Sequence, residues 1–161
     1  MRRSMPMTIR NKSAFSVVEA IVVAIFLGIL ASIAVPRLNF AAVSRSSVKA
    51  TTRKIVADLR LTRGLAISDA ATNTQGFELR MVGSAPYTAY EIENIDTKVI
   101  VASHTLDSNL NISCPTGTRF IYGPLGNLKP ASATQLIVTA EGKCSAITIN
   151  VATGAVRCAE Y

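Results

Sequence analysis

One carboxylate stands alone in the apolar N-terminal stretch of this chain. From Ser13 to Pro36, Glu19 is the only charged side chain. A carboxylate at a bilayer centre costs about 2.5–3.5 kcal/mol on insertion scales, and less near the end of a span. A passive anchor does better without it, so Glu19 calls for a cationic partner. Other chemistry-bearing residues are sparse. His104 is the single histidine, with no Ser-His-Asp arrangement to complete, and no phosphate-binding glycine loop is present. Cys114, Cys144 and Cys158 form no C-x-x-C pair, and one histidine does not make a zinc site. The sequence therefore predicts no catalysis, no cofactor and no metal. In an exported protein three cysteines give one disulfide and one spare thiol, with three possible pairings.

The elements that hold these residues follow from hydropathy and period. Residues 1–14 are polar and basic, with Arg2, Arg3, Arg10 and Lys12 and no acid. Residues 15–36 are apolar and long enough, at roughly 1.5 Å per residue, to cross one bilayer core as a helix. The run is longer than the core of a signal peptide, and no clear A-x-A site follows it. The helical pattern then continues. Val48, Thr52, Ile55, Leu59, Thr62 and Ala66 recur at steps of four and three, with Arg45, Lys49, Arg53 and Arg60 on a neighbouring face. One long helix is predicted from about Phe15 to about Ile67, apolar in its first half and amphipathic over 37–67, with Pro36 inviting a kink.

From Gln75 the period changes to two. Strands are predicted near Gly76–Val82, Tyr87–Ile92, Lys98–Ser103, Leu110–Ser113, Thr118–Tyr122, Gln135–Thr139, Ala146–Val151 and Ala155–Cys158. Turn residues separate them, as in Glu141-Gly142-Lys143 and Thr153-Gly154. The predicted class is α+β: a long N-terminal helix packed on a β-rich head, residues 68–161, built as a meander of short antiparallel strands. His104 is expected on a strand, facing solvent.

The net charge of +7 is unevenly spread. Residues 37–63 carry seven bases against Asp58, whereas residues 64–161 carry six bases against eight acids. The basic character belongs to the N-terminal third, so the head offers little attraction to phosphate.

The register of the first 40 residues carries a resemblance. Lys12-Ser13-Ala14-Phe15-Ser16-Val17-Val18-Glu19 and the apolar run after it resemble the processing signal of type IV prepilins and pseudopilins. The resemblance implies a leader over 1–14, cut by prepilin peptidase between Ala14 and Phe15, with N-methylation of the new Phe15 terminus. Glu19 then falls fifth in the mature chain, where the family has its glutamate. Gly28 and Pro36 fall where the family commonly has glycine and proline. The residue before the cut is usually glycine; here it is Ala14. In this family the glutamate meets the N-terminal amine of a neighbouring subunit, which sets register as a helical bundle grows. The implied partners are prepilin peptidase, other pseudopilins or pilins through the N-terminal helix, the inner-membrane assembly platform and inner-membrane lipids. Charge counting does not orient the chain, because bases flank the apolar run on both sides. The resemblance places the leader in the bacterial cytoplasm and the head in the periplasm.

Within the superfamily, Ile55–Ile67 and the ending Ile147–Arg157 are similar to the H-type (GspH/FimT) minor pseudopilins. That likeness implies a structural subunit of a type II secretion pseudopilus. The alternative it leaves is a FimT-like minor pilin of a type IV pilus, priming assembly or taking up DNA. The DNA-binding members carry Gly-Arg-x-Arg near the C-terminus. Here the positions read Gly154-Ala155-Val156-Arg157, so Arg157 is the candidate contact and Ala155 replaces the first arginine. DNA is not the expected partner. Late-cysteine pairing in related heads favours Cys144 with Cys158; Cys114 with Cys158 remains open.

Overall fold

The computed structural model describes the backbone of residues 16–34 and 40–161, with side chains at 16–32 and 46–161. The chain divides into two compact units, residues 1–39 and 40–161.

The first unit contains helix α1, Val17–Ala34. Its apolar residues point in every direction, so no face is distinguished as a core face. Val17, Ile21, Ile25, Phe26 and Leu30 are all exposed.

The second unit opens with helix α2, Phe40–Ser68. Val48, Thr52, Ile55, Leu59, Thr62 and Ala66 are all buried, the stripe that the four-and-three spacing predicts. Eight strands follow: β1 Phe77–Val82, β2 Ala89–Asn94, β3 Ile100–Thr105, β4 Asn111–Ser113, β5 Arg119–Tyr122, β6 Gln135–Ala140, β7 Lys143–Ile149 and β8 Val156–Glu160. They form two four-stranded antiparallel sheets, ordered β3-β2-β1-β5 and β4-β6-β7-β8. Helix α2 packs on β1 and β5 of the first sheet and on β6, β7 and β8 of the second. Leu79, Ile92, Phe120 and Tyr122 meet Ile112, Leu136, Val138 and Ile147 in the core.

Two expectations are corrected. The single helix from about Phe15 to about Ile67 is instead two described helices, α1 ending at Ala34 and α2 beginning at Phe40. Among the described residues no helix is long and apolar enough to cross a membrane. The 18 residues of α1 rise about 27 Å, short of a hydrocarbon core of about 30 Å. The assignment of a membrane-crossing first half to one continuous helix is therefore withdrawn. The chemistry of Pro36 gives a sequence reason for a boundary: proline lacks an amide hydrogen and disfavours helical geometry in the residue before it. Ala14, Phe15 and Pro36 lie outside the described residues.

The single meander is also replaced. Strand β1 pairs with both β2 and β5, while β4 leaves for the second sheet. At the β6–β7 turn, Glu141 and Gly142 both have positive φ, 45° and 75°, the geometry of a two-residue hairpin turn. Lys143, expected within that turn, opens β7 instead.

Candidate functional site

Helix α1 begins directly after Ser16, whose carbonyl accepts the first intrahelical bond from the Ala20 amide at 3.1 Å. Ser16-Val17-Val18-Glu19 has the spacing of a capping box, which would give Glu19 a local task. That task is not taken up. Among the described residues neither the Ser16 hydroxyl nor the Glu19 carboxylate makes a hydrogen bond or ion pair. Glu19 is exposed on an otherwise apolar helix, and its carboxylate is available to an external donor. A Cβ added at Gly28 would meet nothing within 4 Å. Contacts among the described residues therefore give no reason for glycine there.

The head holds a polar cluster that the sequence did not reveal. Asp58 lies on α2 between the buried Ile55 and Leu59. Buried Tyr90 on β2 donates its hydroxyl to Asp58 Oδ2 at 2.5 Å. His104 Nε2, on edge strand β3, is 3.5 Å from the same oxygen, and its ring lies 5.3 Å from that of Tyr90. Burial is the first cause that raises the Tyr90 phenol well above its ordinary range; the bond to Asp58 adds to it. A phenol held protonated in this way is a hydrogen-bond donor rather than a base or nucleophile. The cluster clamps α2 onto β2 and β3. The signal available beforehand was an acid beside the buried stripe of α2. His104, expected in solvent, is partly covered and faces this clamp.

On the first sheet, buried Glu78 accepts from Arg119 Nε at 2.8 Å. Arg80 pairs with Glu91 at 3.0 Å and Glu93 at 3.3 Å, and Lys98 reaches Glu93 at 3.6 Å. These acids are already neutralised. Among the described residues no group of three or more His, Cys, Asp or Glu is placed to hold a metal ion.

The C-terminal hairpin carries the remaining singled-out residues. Gly154 has φ +66°, and a Cβ there would collide with the carbonyl oxygen of Gly126. Arg63 Nε donates to that same carbonyl at 3.0 Å. Gly154 therefore belongs to a junction of α2, the 123–127 loop and the hairpin. Arg157 lies on β8 opposite Thr148, exposed, with no ion pair among the described residues. Cys144 and Cys158 lie on adjacent strands, but the expected bridge between them is not made; all three cysteines are free. Cys144 pairs with Tyr161 in the ladder and Cys158 with Ile147. Side chains alternate along a strand, so this register puts the two cysteines on opposite faces of the sheet. The Cys158 Sγ instead lies 3.2 Å from the Ser145 hydroxyl.

No protein-family model matches the chain, and neither a curated protein nor a solved structure matches it.

Proposed function

We propose that this chain is a structural minor pseudopilin of a type II secretion pseudopilus. On this reading it is processed by prepilin peptidase between Ala14 and Phe15, methylated at Phe15, and assembled through α1. The observation that carries the proposal is Glu19, an exposed carboxylate with no partner among the described residues on an otherwise uncharged, largely apolar helix. Cleavage would create an α-amine on each subunit. Pairing that amine with Glu19 of a neighbour would offset part of the cost of removing both charges from water. Gly28, open on its own helix, would admit a second helix closely. The proposed setting is the bacterial inner membrane with the head in the periplasm. Lipids, other pseudopilins and the assembly platform would then cover the apolar surface of α1. The head would act as a structural unit and not as an enzyme.

Mass spectrometry of the N-terminus tests the processing. A chain starting at methylated Phe15 supports it, and an intact Met1 end in cells with active peptidase sinks it. Glu19→Ala should leave the protein in the membrane fraction while its recovery in sheared filaments falls at least tenfold; unchanged recovery would refute the pairing. The exposed, unpaired Arg157 supports a second reading, a FimT-like minor pilin of a type IV pilus. DNA retardation by the wild type that is lost in Arg157→Ala would favour it.

A further inference from the structure

We infer that the cleft between α2 and β8 is a docking site for an acidic peptide segment of a partner protein, which adds to β8 as an extended strand. This inference stands on the head alone and does not depend on the filament reading.

Strand β8 ends the second sheet. Cys144 and Tyr161 exchange both backbone bonds, Cys144 N to Tyr161 O at 3.4 Å and Tyr161 N to Cys144 O at 2.9 Å. In an antiparallel ladder bonded pairs alternate with non-bonded ones, so residues 157, 159 and 161 turn their N–H and C=O groups toward β7. Val156, Cys158 and Glu160 turn theirs outward. Among the described residues no partner takes those outward groups. The open edge thus presents donors and acceptors in alternation, at the spacing of a peptide backbone. A polyphosphate backbone offers acceptors only and could use half of them.

The side chains beside that edge select charge. Residues 156, 158 and 160 lie across the ladder from buried Ile149, Ile147 and Ser145, so they face the α2 side of the sheet. There a cleft of about 300 Å³ is lined by Lys49, Arg53 and Arg60, with Thr52, Val56 and Cys158 among its other walls. Arg53 and Arg60 are exposed and make no ion pair among the described residues. Lys49 already holds one carboxylate, that of Glu160, at 3.3 Å. The cleft therefore accepts an acid from its own chain and has two further cations unpaired. Along α2, Lys49 and Arg53 are about 6 Å apart in rise, and Arg53 and Arg60 about 10.5 Å. Acids at every second position of an added strand are about 6.8 Å apart on one face. An alternating acidic segment can therefore meet these cations while its backbone zips to β8.

The test uses the full chain in a zwitterionic detergent and a fluorescein-labelled octapeptide of alternating Glu and Val. Fluorescence anisotropy should show saturable binding, weakened at least tenfold by Arg53→Glu combined with Arg60→Glu. The same peptide N-methylated at alternate residues keeps its charge but cannot pair with an edge. It should also bind at least tenfold more weakly to the unaltered protein. Bound peptide should slow alkylation of Cys158 at least fivefold, with Cys114, next to β4 at the far edge of the same sheet, unaffected. Equal binding of the two peptides would overturn strand addition, as would an oligonucleotide that competes as well as the peptide. Absence of binding would overturn the site. The N-methyl comparison needs no protein variant, so it decides the matter even if the double substitution perturbs folding.

Discussion

At the scale of single residues, the head separates side chains that are held from side chains that are merely enclosed. Among the described residues, the Thr52 Oγ1 and the Tyr122 hydroxyl are buried without a hydrogen-bond partner. An unsatisfied buried polar group costs about 1–3 kcal/mol, so deleting one without changing shape should stabilise the fold. Thr52→Val and Tyr122→Phe are each expected to raise stability by about 1 kcal/mol, read as a higher urea midpoint at unchanged slope. A lower midpoint for both would show that these hydroxyls have partners. Glycine gives the opposite contrast. Gly154→Ala must resolve a collision with the Gly126 carbonyl at φ +66°, and is expected to cost about 2–4 kcal/mol. Gly28→Ala meets nothing, so thermal unfolding of the head should be unmoved by it. If Gly28→Ala nevertheless impairs filament incorporation, the role of that glycine lies between chains.

At the scale of elements, local pattern was legible and pairing was not. The buried stripe of α2 followed from apolar spacing alone, because a helix face is set by residues three and four apart. All eight strands sit where alternation and turn residues placed them, shifted by at most a few residues. Which strands become neighbours depends on contacts far apart in sequence. The pairing of β1 with β5 and the departure of β4 to another sheet leave no mark on short-range period. The Asp58–Tyr90–His104 clamp was hidden for the same reason, since three elements build it. It yields an element-scale prediction. A hydrogen bond to a charged group is worth about 1.5–3 kcal/mol. Tyr90→Phe should therefore lower stability by about that amount, while Tyr122→Phe, which breaks no bond, should not. Amide exchange should accelerate most in α2, which the clamp holds to β2 and β3. Uniform acceleration through both sheets would mean that Tyr90 acts through packing alone.

At the scale of the whole molecule, two units solve different problems. Residues 40–161 bury a continuous core between α2 and two sheets. In α1 the apolar side chains remain exposed along the helix, with one carboxylate among them. In the sequence Pro36 signalled a kink, while the boundary itself, with α1 ending at Ala34 and α2 beginning at Phe40, was not legible because helical period continues on both sides of it. The core makes a prediction about alkaline stability. Burial is the leading cause that raises Tyr90, Tyr122 and Cys114, the last to about 11 from 9.0. These groups are neutral when protonated. In the unfolded chain the thiol loses its proton near pH 9 and the phenols near pH 10, while the folded chain keeps all three. The folded state then binds more protons than the unfolded state, so stability must fall as pH rises. The contribution is fully present below about pH 9 and is lost as pH climbs through the folded values. Urea midpoints should therefore hold between pH 7 and about 8.5 and drop steeply by pH 10.5. The combined variant Cys114→Ala, Tyr122→Phe should show a shallower drop, because two of the three groups no longer titrate. An equal drop in that variant would show that neither Cys114 nor Tyr122 carries the alkaline sensitivity.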